Sequence, residues 1–200
     1  MTLAGEGDVL VLSAFAATGG VHSGTLSSPL GVVASAPAVL GGTIGGVALF
    51  VLVCVGCGLL GAVAMDLPMS KQEDGFTPAY VAAALIRRSP AGEIPFREAV
   101  VVHHATGAIA GGLYALVFLL LAAFVPAGAV VGGVEGIPHI AATAAIAAFV
   151  YGFFAHVVLP RAGRRIYEER ATAVRGQWLR SAVVFGVVLG VTVPVFTSVF

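Results

Sequence analysis

The chain has 200 residues, of which 58% are hydrophobic and 10% are charged, and its formal net charge is zero. Soluble domains carry about 25% charged residues, so this composition excludes a soluble globular protein. Without a net positive charge or a Lys/Arg-rich tract, the chain also lacks the electrostatic field that binding to nucleic acid requires.

The first part of the chain is an apolar segment rich in Gly, Pro and Ser. Its run from Val9 to Val21 is shorter than the roughly 20 residues that a membrane-crossing helix needs, and several Pro and Gly residues interrupt the stretch from Ser27 to Leu40. The segment also lacks the positively charged start of a secretory signal peptide. We therefore expect residues 1–40 to form a flexible or re-entrant segment and residues 41–200 to form a four-span transmembrane domain; the alternative is a fifth span within residues 9–40.

Four long stretches of the chain contain no charged residue, and each can hold a helix that crosses a bilayer. The predicted spans are approximately residues 42–65, 99–125, 138–159 and 181–200. Small residues recur at four-residue spacing within them, as at Gly107 and Gly111, which lets helices pack closely. The predicted fold is therefore all-α, an integral membrane four-helix bundle.

The positive charges predict the orientation of the bundle. All ten Lys and Arg residues lie in the connections Asp66–Glu98 and Pro160–Arg180, and the connection Pro126–Ile137 has none. Short loops rich in Lys and Arg stay in the cytoplasm. We therefore expect two charged cytoplasmic loops, both termini outside, and a multi-pass location in the cell membrane.

The charged loops predict two further features. The first loop favours a short helix over Pro78–Arg88 that lies along the membrane surface, and the second favours a basic helix that ends at Gly176. Arg161, Arg164 and Arg165 are candidates for binding anionic lipids, each cation contributing about 1 kcal/mol near a charged leaflet. The alternative is that these arginines only anchor the protein by the positive-inside rule.

A C-x-x-C pair, Cys54 and Cys57, lies in the middle of the first span. Such a pair is half of a zinc site or a redox motif in other settings. The chain supplies no further soft ligands, and cysteine is small and readily buried. We interpret both residues as packing residues.

Four ionisable residues are predicted to lie at a similar depth near the inner face. His103 and His104 come shortly after the start of the second span, His156 shortly before the end of the third, and Asp66 closes the first. Ionisable groups in a span are costly and are candidates for functional sites. Three interpretations remain open. In the first, the histidines only form hydrogen bonds to the backbone, to Asp66 or Glu98, or to headgroups. The second interpretation is haem ligation by His156 with His103 or His104, and the third is a divalent-metal or proton pathway that combines Asp66 with the histidines.

One part of the sequence resembles other proteins. Gly58–Met69 reads GLLGAVAMDLPM, and Asp74–Pro78 reads DGFTP. This resembles a pattern in uncharacterised multi-pass membrane proteins of haloarchaea and other prokaryotes, in which a small-residue helix ends in Met-Asp and a polar loop with Gly and Pro comes next. The resemblance implies a fold type without a chemistry, and it draws attention to Asp66.

The sequence contains no G-x-S-x-G, H-E-x-x-H, P-loop or dinucleotide-binding motif, and its loops are too short for a catalytic domain. We therefore expect a protein that is not an enzyme, a structural, scaffolding or small transport component whose partner is the lipid bilayer. A homo-oligomer is compatible with the sequence. The alternative is a metal- or haem-binding membrane protein that uses Asp66, His103, His104 and His156.

Overall fold

The computed structural model describes residues 44–199, without the side chains of residues 164–167. The α-helices are α1 (Ile44–Ser70), α2 (Thr77–Arg87), α3 (Phe96–Phe124), α4 (Gly136–Phe153), α5 (Leu159–Ala162) and α6 (Arg164–Thr197). A 3-10 helix covers Ala91–Glu93, a π-helix covers Phe154–Val158, and strands β1 (Val130–Val131) and β2 (Val134–Glu135) form an antiparallel hairpin. The predicted segment 1–40 lies outside the described residues.

Four helical segments are long and apolar enough to cross a membrane, as the sequence predicted. They are Ile44–Ser70, Phe96–Phe124, Gly136–Ala162 and Glu168–Thr197. Large apolar side chains cover their outer surfaces: Leu52, Ile109 and Val187 are each more than half exposed. A hydrocarbon solvent accommodates such a surface and water does not. The chain is a multi-pass membrane protein.

The four long segments form a bundle in which each packs against two others. Helix α1 contacts α3 and α6, and α4 contacts the same two helices, so α1 and α4 occupy opposite corners. The short helix α2 lies against α3. The aromatic rings of Phe50 in α1 and Phe118 in α3 pack 5.2 Å apart between their centroids, both fully buried in the core.

Helices α1 and α3 cross at a contact made of glycines. A Cβ atom at Gly58 would overlap the carbonyl oxygen of Gly107, and one at Gly111 would overlap the carbonyl oxygen of Cys54. Backbones approach this closely only where side chains are absent. Cys54 and Cys57, in the same part of α1, are buried free thiols.

Several predicted helix ends need correction. Helix α1 continues to Ser70 instead of stopping at residue 65. Helix α3 begins at Phe96, directly after Pro95, so it includes Arg97 and Glu98 ahead of the second span. The expected break at Gly176 is wrong, because α6 runs through it without interruption. A glycine in a helix costs about 1 kcal/mol, and the buried residues Val174 and Trp178 on either side hold this part of α6 in the core.

The third membrane segment changes from α4 to a π-helix before Pro160. The N–H of Leu159 bonds to the carbonyl of Phe154, five residues back, and Pro160 has no N–H to give to Ala155 in the same pattern. The Ala155 oxygen instead accepts a hydrogen bond from Arg175 Nε at 3.0 Å. Helix α6 thus completes the backbone bonding at the end of this segment.

The first charged loop is held against the start of α6. Arg170 Nη2 lies 3.0 Å from both Glu73 Oε1 and Asp74 Oδ2. The contact with Asp74 is an ion pair that does not have the geometry of a hydrogen bond. The backbone N–H of Asp74 donates to Gln177 Oε1 at 2.8 Å. Both charged loops therefore lie together at one end of the bundle, which we call the charged end.

Candidate metal centre

Three of the four ionisable residues singled out in the sequence meet at the charged end. Asp66 lies in the last turns of α1, and His103 and His104 lie in the second and third turns of α3. His104 Nε2 is 2.8 Å from Asp66 Oδ2, and His103 Nε2 is 3.6 Å from Asp66 Oδ1. One ligand atom from each of the three residues falls within 4.8 Å of the others.

The glycine crossing between α1 and α3 places these side chains together. Gly58 of α1 contacts Gly107 of α3. Gly58 precedes Asp66 by about two turns of α1, and Gly107 follows His103 by about one turn of α3. Because the backbones touch there, a carboxylate on α1 reaches two imidazoles on α3. Adjacent residues on a helix point about 100° apart, and both rings turn toward Asp66, with their centroids 5.5 Å apart.

The hydrogen bonds of the cluster leave one acceptor unpaired. His104 Nε2 donates to Asp66 Oδ2, and the buried His103 donates from Nε2 to the carbonyl oxygen of Ala62 at 3.1 Å. Asp66 Oδ1 is buried and has no hydrogen-bond partner among residues 44–199. A buried carboxylate oxygen without a donor is unfavourable and calls for a proton or a cation.

The spacing of the ligand atoms suits a metal ion. Ligands about 2.1 Å from one ion lie about 3.0–3.4 Å apart at octahedral or tetrahedral angles. The two observed nitrogen–oxygen separations, 2.8 and 3.6 Å, lie on either side of this range. The third separation, between the nitrogens of the two imidazoles, is within 4.8 Å, so the two rings would have to turn toward a shared ion.

The donor set indicates which ions the site would take. Two imidazoles and one carboxylate suit zinc, iron or manganese and leave positions open for water or another ligand. Coordination through Nε2 requires that both histidines carry their proton on Nδ1, so His103 would exchange its bond to Ala62 for the metal.

His156 lies apart from the other three. It is exposed in the π-helix Phe154–Val158, and its ring packs edge-on against Tyr151 at 6.0 Å between centroids. The group of ligand atoms around Asp66 does not include it. This placement gives no support to haem ligation by His156 together with His103 or His104.

The candidate lipid-binding arginines are only partly described. Arg161 is exposed, and its Nη1 donates to the carbonyl of Val157 in its own turn of helix. The side chains of Arg164 and Arg165 lie outside the described part of the chain, so binding of anionic lipids by these three residues stays a prediction.

A polar network at the opposite end of the bundle was not predicted from the sequence. Tyr114 and His139 are both buried, and the tyrosine hydroxyl donates to His139 Nδ1 at 2.6 Å. His139 Nε2 donates to the carbonyl oxygen of Gly190 at 3.0 Å. That carbonyl has no helical partner, because the residue four positions later is Pro194.

A sequence signal for this network exists. A proline inside a span frees the carbonyl four residues earlier, and a histidine in another span is a donor that reaches it. Pro194 and His139 form such a pair. Depth in the membrane does not group His139 with Asp66, because His139 comes near the outer end of its predicted span, 138–159.

Comparisons of the chain with protein-family models, with curated proteins and with solved structures give no match. Any function must therefore be inferred from the geometry of the described residues.

Proposed function

We propose that this is a small, non-enzymatic protein of the cell membrane that binds one divalent cation through Asp66, His103 and His104. The observation that carries the proposal is the convergence of three ligand atoms, from two helices, within 4.8 Å. The positive-inside rule favours the cytoplasmic side for this site, because both Lys/Arg-rich loops lie at the same end of the bundle.

The local electrostatics support a cation. The carboxylate of Asp66 is about one-third exposed and its Oδ1 atom is unpaired, so a positive ion would offset a desolvation cost that the present hydrogen bonds leave. Asp66 and His104 are partly exposed, whereas His103 is buried. An ion can therefore approach Asp66 and His104 from the surface of the bundle, with His103 behind them.

A cation at this position would serve a structural or a transport role. It would tie the end of α1 to the start of α3, and with open coordination positions it would also exchange with the solution at that end. Both roles agree with the expected structural or small transport component.

Zinc binding to purified protein tests the proposal. The detergent-solubilised protein is stripped with a chelator and dialysed against Zn²⁺. We expect a single zinc ion per chain, and an affinity at least about tenfold lower for Asp66→Ala and for His104→Ala. His156→Ala is the matched control, because it also removes an imidazole near the charged end, and it should bind zinc like the wild type.

Two results would contradict the proposal. One is wild-type protein that binds no zinc, iron or manganese after chelator treatment and reloading. The other is His104→Ala that binds zinc as tightly as the wild type. Either would make the cluster a hydrogen-bonded network that holds α1 against α3.

A further inference from the structure

A cavity of about 260 Å³ lies next to the candidate metal centre. Residues of α1, α2, α3, α4, the π-helix and α6 line it, and its wall is almost entirely apolar. Five aromatic side chains contribute to this wall: Phe149, Phe153, Phe154, Trp178 and Phe185.

The size of the cavity limits its ligand. An apolar cavity of about 150 Å³ holds a benzene ring, and pockets for drug-sized ligands begin at about 300 Å³. The observed 260 Å³ therefore suits one substituted ring or a short length of chain.

The polar atoms of the cavity wall limit which ligands can bind there. Three lining side chains carry nitrogen or oxygen, and two of these are already paired: Thr106 donates to Val102 O at 2.8 Å, and Trp178 donates to Val150 O at 3.2 Å. The third is His103, whose Nε2 is bonded to Ala62. Its Nδ1 atom makes no hydrogen bond within residues 44–199.

We propose that this cavity binds the ring of a membrane quinone or quinol, with a ring oxygen hydrogen-bonded to His103. A planar ring packs well against aromatic side chains, in offset-stacked or edge-on contacts. With the proton on Nε2, the Nδ1 atom of His103 accepts a hydrogen bond from a quinol hydroxyl. With the proton on Nδ1, His103 gives up its bond to Ala62 and donates to a quinone carbonyl instead. An acyl chain would leave this nitrogen unpaired.

The position of the cavity in the bundle suits a ligand with an apolar tail. Ile109, Phe149 and Phe153 line the cavity and are each about half or more exposed on the outside of the bundle. A tail attached to the ring would leave over these side chains into the lipid. The proposal does not depend on a bound cation, since it uses the ring of His103 and the apolar wall.

Trp178 makes the test direct, because it is the only tryptophan in the chain and it lines the cavity. The probe is 2-methyl-1,4-naphthoquinone, added to the protein in detergent while tryptophan fluorescence is measured. Binding in the cavity predicts saturable quenching. Quinone that is merely dissolved in the micelle predicts quenching that rises linearly without saturation.

Two alanine-to-phenylalanine substitutions distinguish quinone bound in the cavity from quinone dissolved in the micelle. Ala82 lines the cavity from α2, and Ala82→Phe fills it; Ala145 lies on an exposed face of α4, and Ala145→Phe is the matched control. We expect linear quenching in the first and saturable quenching in the second. Ala82→Leu serves if Ala82→Phe does not fold, as judged by circular dichroism.

His103 and a competing ligand complete the test. The loss of one hydrogen bond in His103→Leu should weaken the apparent affinity about tenfold. Chelator-treated wild type should still show saturable quenching, which separates this proposal from the metal site. Two results with the quinone would overturn the proposal: linear quenching in the wild type, or saturable quenching in Ala82→Phe. A brominated fatty acid is the competing quencher. Saturation with this quencher alone would also overturn the proposal, by showing an acyl-chain site.

Discussion

At the scale of single residues, two prolines determine where polar side chains are needed inside the membrane segments. Pro194 leaves the carbonyl of Gly190 without a helical donor, and His139 supplies one. Pro160 does the same for Ala155, and Arg175 supplies the donor. Because lipid offers no hydrogen bonds, each freed carbonyl must find a partner within the protein.

The bond from His139 should contribute measurably to stability. The substitution His139→Ala leaves Gly190 O and the Tyr114 hydroxyl without their partner. We expect the free energy of unfolding to fall by about 1–3 kcal/mol. Unfolding by SDS in mixed micelles, followed by circular dichroism, measures the change.

A second substitution, at Pro194, tests whether the bond from His139 compensates for the proline. In a Pro194→Ala background, residue 194 regains an N–H that can bond to Gly190. The cost of His139→Ala should then shrink, giving a coupling energy of about 0.5 kcal/mol or more in a double-mutant cycle. Strictly additive effects would show that His139 does not compensate for the proline.

At the scale of helices, the crossing of α1 and α3 decides whether the candidate metal centre exists. Gly58, Gly107 and Gly111 allow the two backbones to touch, and Asp66 reaches both histidines only because they do. A side chain in this contact would push the helices apart and widen the cluster.

Two glycines on α1 test the role of the crossing. A Cβ at Gly58 would overlap backbone atoms of α3, whereas a Cβ at Gly56 would meet nothing within 4 Å. Gly58→Ala should lower the free energy of unfolding by about 1–3 kcal/mol and weaken zinc binding. Gly56→Ala should leave the free energy of unfolding unchanged or raise it by up to about 1 kcal/mol, because alanine favours a helix more than glycine does, and should leave zinc binding intact. Equal effects of the two would refute the close crossing.

Charge-free runs predicted the four membrane segments, because a span must be long and apolar, and both properties are visible in the sequence. The helix ends were less predictable. Helix α6 extends well beyond its apolar part, because buried contacts such as those of Trp178 continue past the charged residues and through Gly176. Contacts between distant parts of the chain determined this end.

The sequence predicted how deep the residues of the candidate site lie in the membrane, but not which way their side chains point. Residue counting placed Asp66, His103, His104 and His156 at one level, and three of them meet. The rotation of each helix about its axis decides which side chains face each other, and the π-helix around His156 alters that rotation locally. Residue counts contain no such information.

At the scale of the whole molecule, the charged end is a small structured layer beyond the bundle. Arg170 joins the first charged loop to α6 through Glu73 and Asp74, and Arg87 Nη1 joins α2 to α3 through Glu98 Oε1 at 3.2 Å. This layer lies at the same end of the bundle as the candidate metal centre.

Removing Arg170 should loosen this layer without unfolding the bundle. The contacts of Arg170 are largely exposed, except at Asp74, so Arg170→Gln should cost about 1 kcal/mol or less. Hydrogen–deuterium exchange should become faster in residues 71–77 and stay unchanged in the membrane segments. Arg161→Gln is the control, because Arg161 bonds only within its own turn among the described residues. Unchanged exchange in Arg170→Gln would show that other contacts hold the loop.

Binding of one cation by Asp66, His103 and His104 together can be observed at the ion itself, by X-ray absorption spectroscopy of the zinc-loaded protein. We expect only nitrogen and oxygen neighbours at about 2.0–2.2 Å from the zinc ion. The outer-shell scattering should correspond to two imidazoles in the wild type and to one imidazole in His104→Ala. Sulfur neighbours at about 2.3 Å, which would place the ion at Cys54 and Cys57, or a spectrum without imidazole scattering, would contradict this binding mode.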